Sequence, residues 1–284
     1  MTVDNRVRHT QCPLCASAHI AKLGDIAYPV PVPFSTHEIT LTHIPEIWSC
    51  QECASRFTQN AIPESVAAEL YASGIGEERW ASGNIREVKH PEIVDVLDVL
   101  YTRGARVLDV GCNTGELLDF ARERGCVTAG VEYARSSRDI VTGKGHSVFP
   151  SLESVDGMYD VITAFDLVEH LYDVPAFLGF CRRRLAPEGR LALLTGDIGS
   201  PSARLAGVRW WYYRFPEHIA FPSRRYLAGR PGFPLERWVR TYAARAFEPS
   251  HLAAWAGFAL GISLRRYRAQ PPLGPDHVLA VLKT

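Results

Sequence analysis

A chain of 284 residues with 46% hydrophobic and 22% charged side chains has the composition of an ordinary globular protein, long enough for one large domain beside a smaller one. No run approaches the roughly 18 apolar residues of a membrane-spanning helix. The opening stretch, MTVDNRVRHTQC, lacks the apolar core of a secretory leader, so a cytoplasmic protein is expected.

In chain order, the first feature is a pair of Cys-x-x-Cys motifs, Cys12–Cys15 and Cys50–Cys53, separated by 34 residues. Each pair sets two thiolates on one knuckle, and two knuckles complete a tetrahedral zinc site with bonds of about 2.3 Å. Four protein ligands leave no open position, so a structural Zn2+ is expected, with redox-active or chance pairs as the alternative. The other three cysteines (Cys112, Cys126, Cys181) stand alone in apolar stretches. This suits reduced cytosol better than a disulfide framework. Between the knuckles, the run from Tyr28 to Phe34 carries three prolines and forbids a helix.

Helical spacing is predicted from Ile62–Pro63 to Tyr71, followed by breaks at Gly74, Gly76 and Gly83. A second helix opens near Pro91, with Ile93, Val94, Val96, Leu97 and Leu100 on one face and Gly104 as terminator. Arg106–Val110 reads as a buried strand, about Thr114–Arg124 as a helix, and Val127–Glu132 as a second strand. The alternation continues with a strand at Tyr159–Phe165, a helix at about Val174–Leu185 and a strand at Arg190–Thr195. Such alternation predicts an α/β fold with a largely parallel sheet covered on both faces. Residues 200–225 are rich in aromatics and Arg without clean periodicity, and His277–Leu282 closes the chain as a strand. The expected division is a zinc module over 1–60, a helical linker over 61–90, a nucleotide-binding core over 91–200, and an acceptor-binding insertion with core completion over 201–284.

The chemistry concentrates at Val107-Leu-Asp-Val-Gly-Cys-Asn-Thr-Gly115, a glycine bend between a strand and a helix. Glycine lets the backbone approach a ligand closely, and Asn113 tolerates a left-handed conformation. Glu132 ends the next strand, where a carboxylate can accept both hydroxyls of a ribose. A nicotinamide dinucleotide site would place an acid similarly, but it expects Gly-x-Gly-x-x-Gly, and this bend lacks the middle and last glycines.

These residues resemble the first motif of the class I S-adenosylmethionine-dependent methyltransferases, Asp-x-Gly-x-Gly-x-Gly, at Asp109, Gly111, Asn113 (in place of the middle Gly) and Gly115. The resemblance implies a Rossmann-like sheet and S-adenosylmethionine as cofactor. It implies further that Gly111, Cys112, Asn113 and Gly115 wrap the cofactor, that Asp109 lies near its amino group, and that Glu132 and Tyr133 meet the nucleoside. Tyr159 to Leu171 resembles the family's fourth-strand segment, which adds Phe165 and Asp166 to the cofactor side. Ser151–Glu153 falls where such proteins contact adenine, without the frequent Asp. Thr195 to Arg204 and Gly207 to Ser223 resemble bacterial methyltransferases that tailor sugars, glycans and natural products, some of which carry cysteine modules near the acceptor site.

A hydroxyl acceptor needs a proton acceptor beside it. His218, within Phe215-Pro-Glu-His-Ile, is the first candidate and His170 the second, with Asp197 able to orient either; a packed structural role is the alternative for each. Trp210 to Tyr213 are either an acceptor wall or core. The formal charge sums to zero, yet residues 1–200 carry 18 Lys and Arg against 27 Asp and Glu, while residues 201–284 carry 13 against 4, of which 12 are Arg. This last third is either a solvated basic face or a surface that holds an anionic acceptor. An acidic N-terminal portion argues against nucleic acid as partner. A small-molecule or sugar acceptor and a monomer or homodimer are therefore expected. An RNA methyltransferase that uses its zinc module as a clamp, or a non-catalytic cofactor-binding protein, are the rivals.

Overall fold

The computed structural model describes residues 1–28, 30–73, 85–242 and 274–284. The glycine breaks at Gly74, Gly76 and Gly83, and several C-terminal arginines, lie outside the described residues. Among the described residues no helix is long and apolar enough to cross a membrane.

The proline-rich N-terminal segment folds as short strands. They are β1 (Thr2–Val3), β2 (Ile20–Asp25), β3 (Val32–Phe34), β4 (His37–Leu41), β5 (Glu46–Cys50) and β6 (Arg56–Gln59). β1, β4 and β3 form one small sheet; β2, β5 and β6 form another, which a later strand extends. Each Cys-x-x-Cys turn ends on an alanine with positive φ, Ala16 at 61° and Ala54 at 58°, which returns the chain into a strand. The 34-residue excursion between the knuckles is therefore folded: it builds β2 to β5, with Ile39 and Ile47 fully buried.

Helices α1 (Glu64–Ala72), α2 (Ile85–Val88) and α3 (Pro91–Leu100) lead into the larger layer. α3 buries the five apolar residues that its spacing predicts, each burial contributing about 1.5–3 kcal/mol. Then follow β7 (Arg106–Val110), α4 (Glu116–Glu123), β8 (Val127–Val131), α5 (Arg135–Gly143), β9 (Ser147–Phe149) and β10 (Tyr159–Phe165). The chain continues through α6 (Val174–Arg184), β11 (Leu185–Gly196), α7 (Pro201–Ala206), β12 (Ala220–Phe221), α8 (Arg224–Ala228), β13 (Leu235–Thr241) and β14 (His277–Lys283).

The seven-stranded sheet runs β13-β14-β11-β10-β7-β8-β9. β9, β8, β7, β10 and β11 pair in parallel, whereas β14 is antiparallel to both β11 and β13. The parallel strands read as apolar runs because helices cover both faces; Val107, Leu108, Ile162, Leu191 and Leu193 have no exposed surface. Strand order reverses between β7 and β10, and the crevice at their C-terminal ends is where open α/β sheets take ligands.

Among the elements that differ from the sequence expectation, three bear on the larger sheet. α5 was not anticipated, because its sequence RSSRDIVTG buries only Ser137 and Val141. β13 was not anticipated either: it is a half-buried edge strand, and edge strands carry a weak alternation. β11 starts at Leu185, not at Arg190. A bulge with Glu188 at φ 63° absorbs Ala186–Gly189 before regular pairing of Val161 with Arg190.

Candidate active site

β7 delivers the chain to the crevice at Gly111, and the bend that follows depends on left-handed backbone. Gly111 has φ 76°, Asn113 φ 45° and Gly115 φ 88°, the last serving as the N-cap of α4. A Cβ on Gly111 would stand 3.1 Å from Leu167 Cδ1, so this position is restricted by space as well as by conformation. The Cys112 thiol turns away from the crevice and packs where Gly130 leaves room for it, so only its main chain can meet a ligand.

Glu132 follows β8 and braces the bend. Its Oε2 accepts from Asn113 N at 3.0 Å and its Oε1 from Ala134 N at 2.8 Å. Each oxygen keeps a second acceptor direction, the number needed for two vicinal hydroxyls. Burial raises its pKa above the usual carboxylate value, against the pull of these backbone N–H groups. Beneath the bend, Asp109 is buried and accepts from Thr163 Oγ1 at 2.6 Å. Burial pushes Asp109 up to about 7.

Across the crevice, β10 ends at Phe165 and Asp166, the latter with φ 50°. Lys89 Nζ lies 2.9 Å from Asp166 Oδ2 and 6.0 Å from the centre of the Phe165 ring. Enclosure raises the Asp166 carboxyl, but the positive charge of Lys89, then His277 and His170, brings it below its ordinary value. Tyr133 stands at the mouth, 57% exposed.

A second cluster sits beyond Asp166. Glu169 is wholly buried; it accepts from Thr195 Oγ1 at 2.9 Å and from the Tyr212 hydroxyl. Burial, then the charge of Asp166, pushes Glu169 up to about 7. His170 Nδ1 is 3.0 Å from the Tyr71 hydroxyl, and its ring meets His218 edge-on at 4.8 Å. His218 Nδ1 donates to the Tyr212 carbonyl at 2.7 Å, which leaves Nε2 as the basic nitrogen of the neutral ring. One polar atom from each of Glu169, His170 and His218 lies within 4.8 Å of the others.

The structure thus brings His170 and His218 together, but Asp197 does not orient them. Its carboxylate accepts from Arg240 Nε at 2.7 Å and from Gly199 N at 2.8 Å, which fixes it to the chain after β11. Trp210, Tyr212 and Tyr213 are core residues with 1%, 3% and 0% exposure; Trp211 alone is half-buried. Five participants had no role assigned to them from the sequence. Lys89, Thr163 and Tyr212 acquire their partners only through tertiary packing. The buried pair Asp276–His277 joins Nδ1 to Oδ1 at 2.9 Å, with Trp211 Nε1 donating to the other oxygen at 2.6 Å.

The four thiols of Cys12, Cys15, Cys50 and Cys53 also converge within 4.8 Å. Cys12 and Cys53 sulfurs are 3.8 Å apart, and Cys15 and Cys50 sulfurs 3.5 Å. A tetrahedron with bonds of about 2.3 Å has edges near 3.8 Å, so donor set and spacing both fit zinc. The same N-terminal segment reaches the loop of His218. Tyr28 Oη donates to the Tyr213 carbonyl at 3.1 Å, and Glu217 Oε1 accepts from Ser35 N at 2.7 Å.

The profile of a family described as "Methyltransferase domain" matches residues 86–230. A ubiquinone biosynthesis O-methyltransferase of Rhodopseudomonas palustris (strain BisB5) is 31% identical over 116 residues, covering 37% of this chain and 45% of the relative. The chain thus spans about half the length of the first curated relatives it matches. The enzyme of the same name from Dechloromonas aromatica (strain RCB) is 29% identical over 235 residues, 74% of this chain and 92% of the relative. Among solved structures, a SAM-dependent methyltransferase from Archaeoglobus fulgidus superposes with a TM-score of 0.45 at 17% identity, over 78% of this chain and 100% of that one. The plantazolicin methyltransferase BpumL, in complex with a pentazolic desmethylPZN analog and SAH, superposes with a TM-score of 0.49 at 13% identity, over 76% of this chain and 94% of that one.

Proposed function

Since the chain belongs to the methyltransferase-domain family, we propose that it transfers the methyl group of S-adenosylmethionine to an oxygen of a small-molecule or sugar acceptor. The observation that carries this reading is the pairing of two constellations at one end of one sheet. The left-handed bend with Glu132 lies on the β7–β8 side of the strand-order reversal, and the Glu169–His170–His218 cluster lies on the β10–β11 side. Oxygen as the target is supported by the names of the curated relatives, which are O-methyltransferases.

In this reading Glu132 accepts both ribose hydroxyls, and Gly111 to Gly115 follow the cofactor with main chain only. Asp109, held by Thr163, faces the amino group of the methionine portion. When bound, the cofactor supplies an electrophilic methyl on a sulfonium, so the protein's share is alignment and proton removal. His218 receives the acceptor hydroxyl proton at Nε2, because its Nδ1–H is engaged by the Tyr212 carbonyl. His170 stands edge-on beside it as the second candidate. Cys12, Cys15, Cys50 and Cys53 would hold one structural Zn2+. Arginines of the C-terminal third suit an acceptor with an anionic moiety, of the kind met in glycan and natural-product tailoring.

The test is turnover of methyl-labelled S-adenosylmethionine against a panel of phenols, nucleotide sugars and glycans. His218→Ala and His170→Ala should be assayed beside the wild type, with S-adenosylhomocysteine affinity measured on each. Label transfer that His218→Ala abolishes, at unchanged affinity, supports the assignment. Full turnover in both variants removes the histidines from the mechanism.

A further inference from the structure

The segment that carries His218 is held from two sides at once. On its inner side, Ile219 N donates to the Glu169 carbonyl at 2.7 Å, which ties it to the reaction cluster. On its outer side it becomes β12 and extends the N-terminal sheet, Ala220 opposite Phe57 and Phe221 opposite Arg56. Thr58 contributes twice: its N donates to the Ile219 carbonyl at 2.9 Å and its Oγ1 to the His218 carbonyl at 3.1 Å. Further on, Ser223 Oγ donates to the carbonyl of Cys53, and Ser223 N donates to Ser55 Oγ at 3.0 Å. Cys53 is one of the four converging thiols. A two-residue strand has too few bonds to fix its own place, so β12 takes its position from β6 and the knuckle at β6's start.

We propose that the four-cysteine cluster is a positioning device for His218 as well as the staple of the N-terminal sheets. Metal held by the thiols fixes the turn at Cys50–Cys53; that turn and β6 hold Ser223 and β12; and β12 holds the main chain of His218 beside Glu169 and His170. The proposal rests on the reading of His218 as proton acceptor and assigns the distant metal a part in acceptor turnover. The cofactor bend takes its support from elsewhere, from Val131 and Glu132, with Gly111 N donating to the Val131 carbonyl at 2.8 Å. The main-chain support of the bend does not pass through the four cysteines, so metal loss is felt chiefly on the acceptor side.

The experiment compares the full chain, zinc-loaded and chelator-stripped, by amide hydrogen exchange and by titration with S-adenosylhomocysteine. On stripping, exchange of the amides of Ala220, Phe221 and Ser223 rises by about tenfold or more, while those of 106–110 and 159–165 hold steady and the titration is unchanged. Thr58→Val supplies the second arm, because it leaves all four cysteines in place. It keeps about one zinc per chain and its affinity for the thioether. It shifts the His218 ring resonances, and Thr58→Ser restores them. Unchanged exchange at 220–223 after metal loss overturns the proposal, as do His218 resonances indifferent to Thr58→Val. Absence of thioether binding by the loaded wild type overturns the methyl-transfer reading instead, and the exchange data still decide the coupling.

Discussion

The cofactor side and the acceptor side of the crevice are assembled from different distances along the chain. At the bend, the decisive contact joins Asn113 to Glu132, 19 positions apart, and the second oxygen of Glu132 is held by Ala134, two positions on. At the acceptor cluster, Tyr71 reaches His170 across 99 positions, Thr58 reaches the His218 carbonyl across 160, and Ser35 reaches Glu217 across 182. A locally built site fails when one of its own residues changes. A site gathered from remote segments also fails when any of the elements that bring those segments together moves, which makes it open to control from the N-terminal module.

This contrast makes ranked predictions. The largest effect is expected from His218→Ala: turnover falls by about 10²–10⁴-fold, the usual worth of a positioned base. Calorimetric affinity for S-adenosylhomocysteine should not change; a parallel loss of affinity would break the division between the two sides. Next is Glu132→Ala, which should weaken that affinity by about 1–3 kcal/mol through lost charge-assisted hydrogen bonds. Amide exchange at 217–223 should stay as in the wild type.

A smaller effect concerns protons. Asp109, pushed up to about 7 by burial, is partly protonated near neutrality, and a cationic amino group brought beside it lowers that value. Cofactor binding at pH 7 should therefore release protons. The release shows as a dependence of binding heat on the buffer's ionisation enthalpy, and it should vanish in Asp109→Asn. The smallest effect is on stability in the cofactor-free protein. Asp109 and Glu169 stand at about 7 against ordinary values of 3.8 and 4.5, so the folded state holds extra protons between those limits. Their contribution is fully present below about pH 4, declines as pH rises through 4 to 7, and is constant above. The melting temperature should fall between pH 5 and pH 8, and Glu169→Gln should flatten that slope; a rise over the same interval would refute the assignment.

The same contrast explains what could be read in the sequence. The bend was legible because glycine and asparagine are favoured where φ is positive, as at Gly111, Asn113 and Gly115, and a largely apolar strand precedes them. β7 and β10 were legible to the residue, since a strand buried on both faces is a short, largely apolar run. The four cysteines were legible from spacing. α5 was not, because a helix that buries one serine and one valine shows no apolar stripe. Asp197 was misread as an orienting acid because its true partner, Arg240, stands 43 positions away on β13. Trp210, Tyr212 and Tyr213 left two readings open, and packing against Ile198, Ala203 and Phe221 puts them in the core. Tyr212, Lys89 and the Asp276–His277 pair gave no local sign of their roles, for each is defined by a partner that only the folded chain supplies.

The most direct test of the central claim is a crystal structure of the chain with S-adenosylhomocysteine. The account predicts the ribose hydroxyls at hydrogen-bonding distance from both carboxylate oxygens of Glu132, with the sulfur turned toward His218. An adenosyl group bound elsewhere, or a bend closed by packed side chains with no ligand in it, would contradict it.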